Sequence, residues 1–524
     1  PDILNSINGT GITTGLGSRN AYLTDNPSIS RNALVLIDGG GNDFNPGGAI
    51  DWGAAPDPAA AIQASAQTLV ASVAALNNAG ARYILLANLP DLGQVPAVQA
   101  LNLGAPGTAA AATDAAAGFN TSLTLFTTST NIPVIPVDLA GVIQLIARDA
   151  EALGFANGPL GGLPVDQLAT CYNDIGGDCI EHPIYGIDGT APDPDRLVYN
   201  DGLHPTGATG RLTADYLYDI IVAPRKVALL AEMGESTARG QLNTVRDEMR
   251  QSRWSTPSNG WFISGAIAQA DFDGGLDAED DNYSSTIGLT HRMADDKLLG
   301  VALTVSGSEL DSDDTSFKAI SYGANVFYGY RAGSWFVDGV LGFTIVDYHD
   351  LSRDFRFGSQ TYEADGDTDG TVLSIDISAG YNMMADSESI AFGPIVGIQS
   401  IHTTVTGYEE SGGEVSNYDW AEQSVKSQQW RVGVTGDFKV SDTFHLSGEI
   451  YASGELEDGW REVEATNTNL GFGSYRLPGT YVDDDTFVNA SINGTFDLEA
   501  GKVRVAYHYS GENDDSGRFS VTYS

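Results

Sequence analysis

Twelve stretches in the C-terminal half constrain this chain more than any other feature. From Trp261 onward, segments such as SWFVDGVLGFTIVDYH, SIAFGPIVGIQSIHTTVTGY and KVRVAYHYSG alternate apolar with polar or small residues. That period of two is the pattern of a strand with one face in an apolar medium and the other in a polar one. The connections alternate as well. ADDK, AGS, ADSES, SD and EAG are tight, whereas DGGLDAEDDN, DSDDTS and the segments 349–370, 409–423 and 457–485 are longer and mostly acidic. An even number of strands of about ten residues, with short turns at one end and long loops at the other, predicts a transmembrane antiparallel β-barrel. A soluble β-sandwich does not demand that alternation, and no fixed-period repeat supports a β-solenoid. Aromatic residues near the strand ends, among them Trp261, Tyr322, Trp335, Tyr381 and Trp430, suit the two membrane interfaces. The last strand, Phe519-x-Val521-x-Tyr523, alternates in the same way, and the natural C-terminus is expected a residue or two past Ser524.

Residues 1–222 follow a different rule. NALVLIDGG (Asn32 to Gly40) reads as a buried strand running into a Gly-rich loop, and Asp57 to Gly80 as a long Ala-rich helix. ARYILLANLPD and NIPVIPVDL (Asn131 to Leu139) are further strands, and Gly207 to Ile221 closes the region as a helix. Strands alternating with helices predict an α/β domain with a mostly parallel sheet and loops for chemistry at the strand C-terminal ends. Between the two regions, 223–254 reads as one helix with weak points at Gly234 and Gly240. It carries six of the chain's 26 basic residues against four acidic ones. A net-basic helix before a net-acidic barrel is expected to thread the polar lumen, where inward Asp and Glu can pair with it. The chain therefore divides into 1–222, 223–254 and 255–524.

A net charge of −43 argues against nucleic acid as a partner. The acidity is not that of a disordered chain, because 42% of the residues are hydrophobic. No run of eighteen apolar residues offers a helical membrane span. The first residues, PDILNSINGTG, have neither the basic nor the apolar region of a signal peptide, so a mature, processed or truncated chain is expected. Cys171 and Cys179 are the two cysteines, and their closeness predicts a short-range disulfide in an oxidising compartment, with two free thiols as the alternative.

Two loops of the α/β region carry candidate chemistry. In GGGNDF, Gly40 and Gly41 permit tight backbone and Asn42 can aim an amide donor at an oxygen. In DGLHPT, His204 can take a proton from a hydroxyl while Asp201 orients the imidazole. Each loop alone is weak, since Asn-Asp after glycine is ordinary turn chemistry and D-x-x-H can be a cap beside a surface histidine. Together, Gly40-Gly41-Asn42-Asp43 and Asp201-Gly202-Leu203-His204-Pro205 resemble the third and fifth blocks of the GDSL, or SGNH, esterases. With the linker and barrel, the whole chain resembles a GDSL esterase autotransporter.

That resemblance implies an SGNH-type (flavodoxin-like) passenger, a lumen helix and a twelve-stranded translocator. It implies hydrolysis of carboxylic, fatty acyl esters through a Ser–Asp–His triad, with Asp201 and His204 as two members and Asn42 as an oxyanion donor worth a few kcal/mol. The family's Gly-Asp-Ser-Leu block and its second block are not found, so the serine is expected upstream of Pro1 and this stretch alone is expected to be inactive. Also implied are an outer-membrane location with the passenger at the cell surface, membrane lipids and an ester substrate as partners, periplasmic chaperones and the barrel-assembly machinery during biogenesis, and a monomer. No cofactor or metal is called for. DGDTDGTVLSID (Asp365 to Asp376) has the acid spacing of a calcium loop, but no helices flank it, and a solvated outer loop is the better account. The rival functions are a catalytically silent, adhesin-like binding passenger on the same barrel and an open pore.

Overall fold

Alternation along single strands builds the barrel wall. On the strand Thr315–Ala332, Ile320, Tyr322, Val326 and Tyr328 face outward and are exposed, while Ser321, Asn325 and Phe327 are buried. The computed structural model describes all residues except 1, 15–16, 46–47, 49, 51–54, 157–167, 173–178, 252, 254–257, 273–275, 385, 483 and 513–515. The join placed at 254/255 thus lies outside the described residues. Twelve antiparallel strands, from Gly260–Phe272 to Ser516–Tyr523, form a closed barrel. The last strand pairs with the first from Gly517↔Gln269 to Tyr523↔Ile263, leaving no open edge.

At the long-loop end the wall continues past any bilayer. Trp335–Phe357 has 23 residues and Gln360–Tyr381 has 22, where a tilted spanning strand needs about 9–11. Asp365 to Asp376 lies inside the second of these strands, so it is ladder and not the loop its composition suggests. Two of the long acidic segments also fold. Tyr408–Glu409, Tyr418–Trp420, Gly459–Asn467 and Tyr475–Val482 make a separate four-stranded antiparallel sheet outside the barrel.

The last passenger helix and the linker are one element. Gly207–Gln251 runs for 45 residues with Pro224 inside it, about 68 Å at 1.5 Å per residue. Its first part buries Tyr216 and Ile220 against the α/β domain, and its second part fills the lumen with Val227, Leu230, Leu242 and Met249. Gly234 is no weak point. A Cβ there would stand 2.8 Å from Tyr348 Oη and 3.0 Å from Thr403 Cγ2, so its missing side chain lets helix and wall approach. Further along, Arg246, Arg250 and Arg253 all reach Glu449 of the wall. His508 Nε2 lies 2.7 Å from Asp247 Oδ2 and Arg504 lies 2.7 Å from Glu248.

The α/β domain has a parallel sheet in the order Leu34–Ile37, Tyr83–Ala87, Ile135–Val137. Helices Pro58–Asn78 and Thr108–Thr130 cover one face, packing Leu69, Val73, Phe119 and Leu123 on Ile37, Ile84 and Leu86. Asp57 caps the first by accepting from Ala60 N at 3.1 Å, with Pro58 at its first position. Leu139–Arg148 and the start of the 45-residue helix cover the other face over Leu85 and Val137. That second layer stops short of the first strand. Leu36 pairs with Leu85 in the ladder, yet Leu34 and Leu36 are 52% and 56% exposed while Leu85 is buried.

Candidate active site

The GGGNDF loop leaves the sheet at the C-terminal end of Leu34–Ile37. Gly40 takes φ = 110°, a left-handed conformation that L side chains rarely adopt. A Cβ there would also fall 2.5 Å from the Phe119 ring. The turn that follows, Gly41–Phe44, is closed by Asp43 N donating to Gly40 O at 3.0 Å. Asn42 is exposed, and its Oδ1 accepts from Asn45 Nδ2 at 3.3 Å. Its own amide N–H2 therefore points away from that partner and has no hydrogen bond among the described residues.

The DGLHPT loop is a closed turn tied at its base. Thr206 N donates to Val198 O at 2.9 Å and Asn200 N to His204 O at 2.8 Å, with Tyr199 and Pro205 bridged between them. Asp201 is buried and accepts from Leu203 N at 2.8 Å, His204 N at 2.7 Å and His204 Nδ1 at 2.8 Å. Burial opposes its ionisation, but the backbone N–H groups of His204 and Leu203 and the imidazole outweigh it and hold the carboxyl below its ordinary value. The His204 side chain is 67% exposed, and Nε2 makes no hydrogen bond among the described residues. One nitrogen is thus fixed by a carboxylate while the other is presented to whatever enters.

Both loops border the segment that leaves the central strand Tyr83–Ala87. Leu89 sits 3.8 Å from the Cβ position of Gly41, and Ala97 N donates to Gly202 O at 2.9 Å. Helix Thr108–Thr130 braces this segment: Asn120 accepts from Leu89 N at 2.7 Å and donates to Leu89 O at 2.8 Å. Nothing local in the sequence marks Phe119 or Asn120 as supports of the site.

Residues 5–217 match the GDSL-like Lipase/Acylhydrolase family model, and residues 254–508 match the Autotransporter beta-domain model. Esterase EstA of Pseudomonas aeruginosa is 31% identical over 548 residues, covering 100% of this chain and 80% of its own. The chain belongs to the GDSL esterase autotransporter family. An uncharacterized protein in the trpE-trpG intergenic region of Pseudomonas putida is 31% identical over 469 residues, covering 88% of this chain and 76% of its own. Among solved structures, the translocator domain of autotransporter NalP from Neisseria meningitidis matches 56% of this chain and 98% of its own, at 15% identity and a TM-score of 0.44. The autotransporter beta-domain and the family membership make this chain an outer-membrane protein that carries its passenger at the cell surface.

The cysteines need a correction. Cys171 is a buried free thiol in the structure, where the sequence suggests a bridge to Cys179. Both cysteines lie beside the DGLHPT loop or its base. Cys171 N donates to Tyr199 O at 3.3 Å, and a Cβ at Gly202 would fall 2.8 Å from Cys179 Sγ, so only glycine fits beside that sulfur. Burial, with the charges of Asp195, Asp201 and Glu181, pushes the Cys171 thiol up to about 11. At pH 8 it is expected to stay protonated and to react with an aromatic disulfide reagent only after unfolding. Rapid reaction of the native protein would contradict that.

Proposed function

We propose that this autotransporter displays a carboxylic ester hydrolase, acting on fatty acyl esters, in which Asp201 and His204 serve a serine carried upstream of Pro1. The observation that carries the reading is the Asp201–His204 pair, with Nδ1 held at 2.8 Å and Nε2 unpartnered among the described residues. Asp201 selects the tautomer with the proton on Nδ1, which leaves the Nε2 lone pair as the base. The serine Oγ attacks the acyl carbonyl as its proton passes to Nε2, and the imidazolium returns that proton to the departing alcohol. Water then repeats the sequence on the acyl-enzyme and releases the carboxylate. Asn42 Nδ2 donates to the oxyanion, together with backbone N–H groups at the serine turn.

The uncovered edge of the sheet supports the place of the missing group. In a doubly wound sheet both faces are covered by helices, yet Leu34 and Leu36 are exposed on one face of the edge strand. A further parallel strand and helix beside Leu34–Ile37 would cover them and deliver the serine at the strand's C-terminal end, next to Asn42. We divide the chain by role into a passenger of 1–222, a lumen helix of 223–254 and a translocator of 255–524. Periplasmic chaperones and the barrel-assembly machinery deliver the translocator to the membrane.

The test is to treat the full-length protein in outer membranes with a serine-directed fluorophosphonate and to assay a soluble short-chain ester. Labelling of one serine in a peptide N-terminal to Pro1, with matching loss of turnover, is expected. No turnover, or labelling confined to serines of the barrel, overturns the assignment.

A further inference from the structure

One face of the α/β domain's sheet packs a buried residue from outside the domain into its core. The cluster on the Ile37 face draws its buried members from residues 29–134, with the single exception, among the described residues, of Phe472. Phe472 lies far along the chain, in the turn between the outer strands Gly459–Asn467 and Tyr475–Val482, and is 6% exposed. Leu470 packs beside it, and the Cβ position of Gly471 lies 3.5 Å from Thr124 Cγ2 on helix Thr108–Thr130.

The turn is firmly braced by its own sheet. Asn469 Nδ2 donates to Glu414 O at 2.8 Å, and Asn467 Nδ2 to Val415 O at 3.1 Å. A few residues away, Arg353 of the barrel wall is 1% exposed and ties three elements together. It donates to Asp219 of the long helix at 2.8 Å, to Glu410 at 3.0 and 2.8 Å, and to Ser416 O at 2.6 Å. The tip of the long hairpin adds Tyr362 Oη to Asp149 at 2.6 Å and Gly358 N to Asp215 at 2.9 Å. A passenger that merely hung from a tether would meet its barrel through a polar, solvated seam of the kind found between loosely associated domains. Here an aromatic side chain of the translocator is buried inside the passenger's own core.

The helix that receives Phe472 is also the one that holds the site loops. Phe119 lies against Gly40, Asn120 clamps Leu89, and Phe119 and Leu123 share the cluster with Phe472. We infer that the four-stranded outer sheet of the translocator is a structural part of the catalytic domain, and that Phe472 is a positioning residue for the oxyanion loop. The catalytic clause rests on the function proposed above; the docking clause does not. A consequence is that the passenger completes its core only on its own barrel, at the cell surface, after the outer sheet has formed.

Phe472→Ala in the full-length protein tests both clauses. Heat-modifiability of the barrel on gels checks assembly, passenger melting and trypsin resistance report docking, and kcat and KM on a soluble ester report positioning. Passenger melting is expected to fall by on the order of 10 °C, with trypsin cleavage of the passenger and an unaltered barrel. The expected change in kcat is a loss of roughly tenfold or more at nearly constant KM, with Phe472→Leu restoring most of both. Unchanged melting and protease resistance in an assembled barrel overturn the docking clause. Lowered melting with unchanged kcat overturns the positioning clause alone. If the parent protein turns over no ester, the proposed function fails and the melting comparison still decides docking. Should the alanine variant not assemble, Leu470→Ala on the same turn is read by the same criteria.

Discussion

Replacing His204 by Ala in the full-length protein lowers kcat on a soluble ester by at least about a thousandfold, with little change in passenger melting. The two halves of this expectation have separate causes. Stability is spared because the imidazole is 67% exposed and fills no core. The loop itself is held by Asp201 accepting from Leu203 N and His204 N, and both of those groups belong to the backbone and survive the substitution. In the proposed mechanism turnover is lost because His204 is the base and its Nε2 has no partner among the described residues to take its place. Asp201 behaves differently. Replacing it by Ala removes the orienting carboxylate and two anchors of the turn together, so it mixes a folding defect with a catalytic one. Asp201→Asn keeps one acceptor oxygen and is the cleaner comparison.

The pH dependence follows from the same carboxylate. Its folded-state value lies below the ordinary one, so its contribution to stability is present above about pH 4, the unfolded value, and is lost as pH falls through the folded value. Asp201 thus remains an ionised orienting group throughout the neutral range, and only strong acid should release the loop. A kcat of His204→Ala within tenfold of the parent would remove His204 from the mechanism.

The parts of this molecule that were legible in the sequence are those whose cause is local. Each barrel strand carries its own period of two, and turn length separates the two ends, so the twelve strands can be read one at a time. The candidate-site loops are short motifs, and the tight turn at Gly40 and the pairing of Asp201 with His204 can be read within a few residues. What stayed hidden depends on distant partners. Tyr408–Glu409 and Tyr418–Trp420 are two and three residues long, and the second pairs with residues 465–467, so no window reveals a sheet. Gly234 and Gly240 read as weak points, but both lie on a continuous helix, and the first permits contact with Tyr348. In each case tertiary packing outweighs a local preference of a few kcal/mol at most. Phe472 sits in the turn TNLGFGS, which reads as solvent-exposed, and only the folded passenger shows why an aromatic residue is there.

The second large effect belongs to the lumen. Arg246 and Arg250, four apart, share one face of the helix, and Arg253 follows just past its end at Gln251, with its N donating to Arg250 O at 3.1 Å. Their guanidinium groups meet Glu449, at 2.9 Å from Arg246 and 3.1 Å from Arg250, with Arg253 on the other carboxylate oxygen. The Glu449 side chain is fully buried, and Arg253 is also held by Asp338 at 2.7 Å. Glu449→Ala therefore leaves three buried cations short of their common anion. Breaking a buried pair by removing one partner costs about 3–5 kcal/mol, and here one deletion strips three partners. The helix is expected to loosen from the wall, which should lower the temperature at which the barrel unfolds on gels and raise single-channel conductance in planar bilayers. Arg246→Ala removes one cation and leaves Glu449 paired with two, so a smaller loss is expected. Equal effects of the two variants would mean that Glu449 is not the shared anchor, and unchanged conductance in Glu449→Ala would mean that packing of Leu230, Leu242 and Met249 alone keeps the lumen closed.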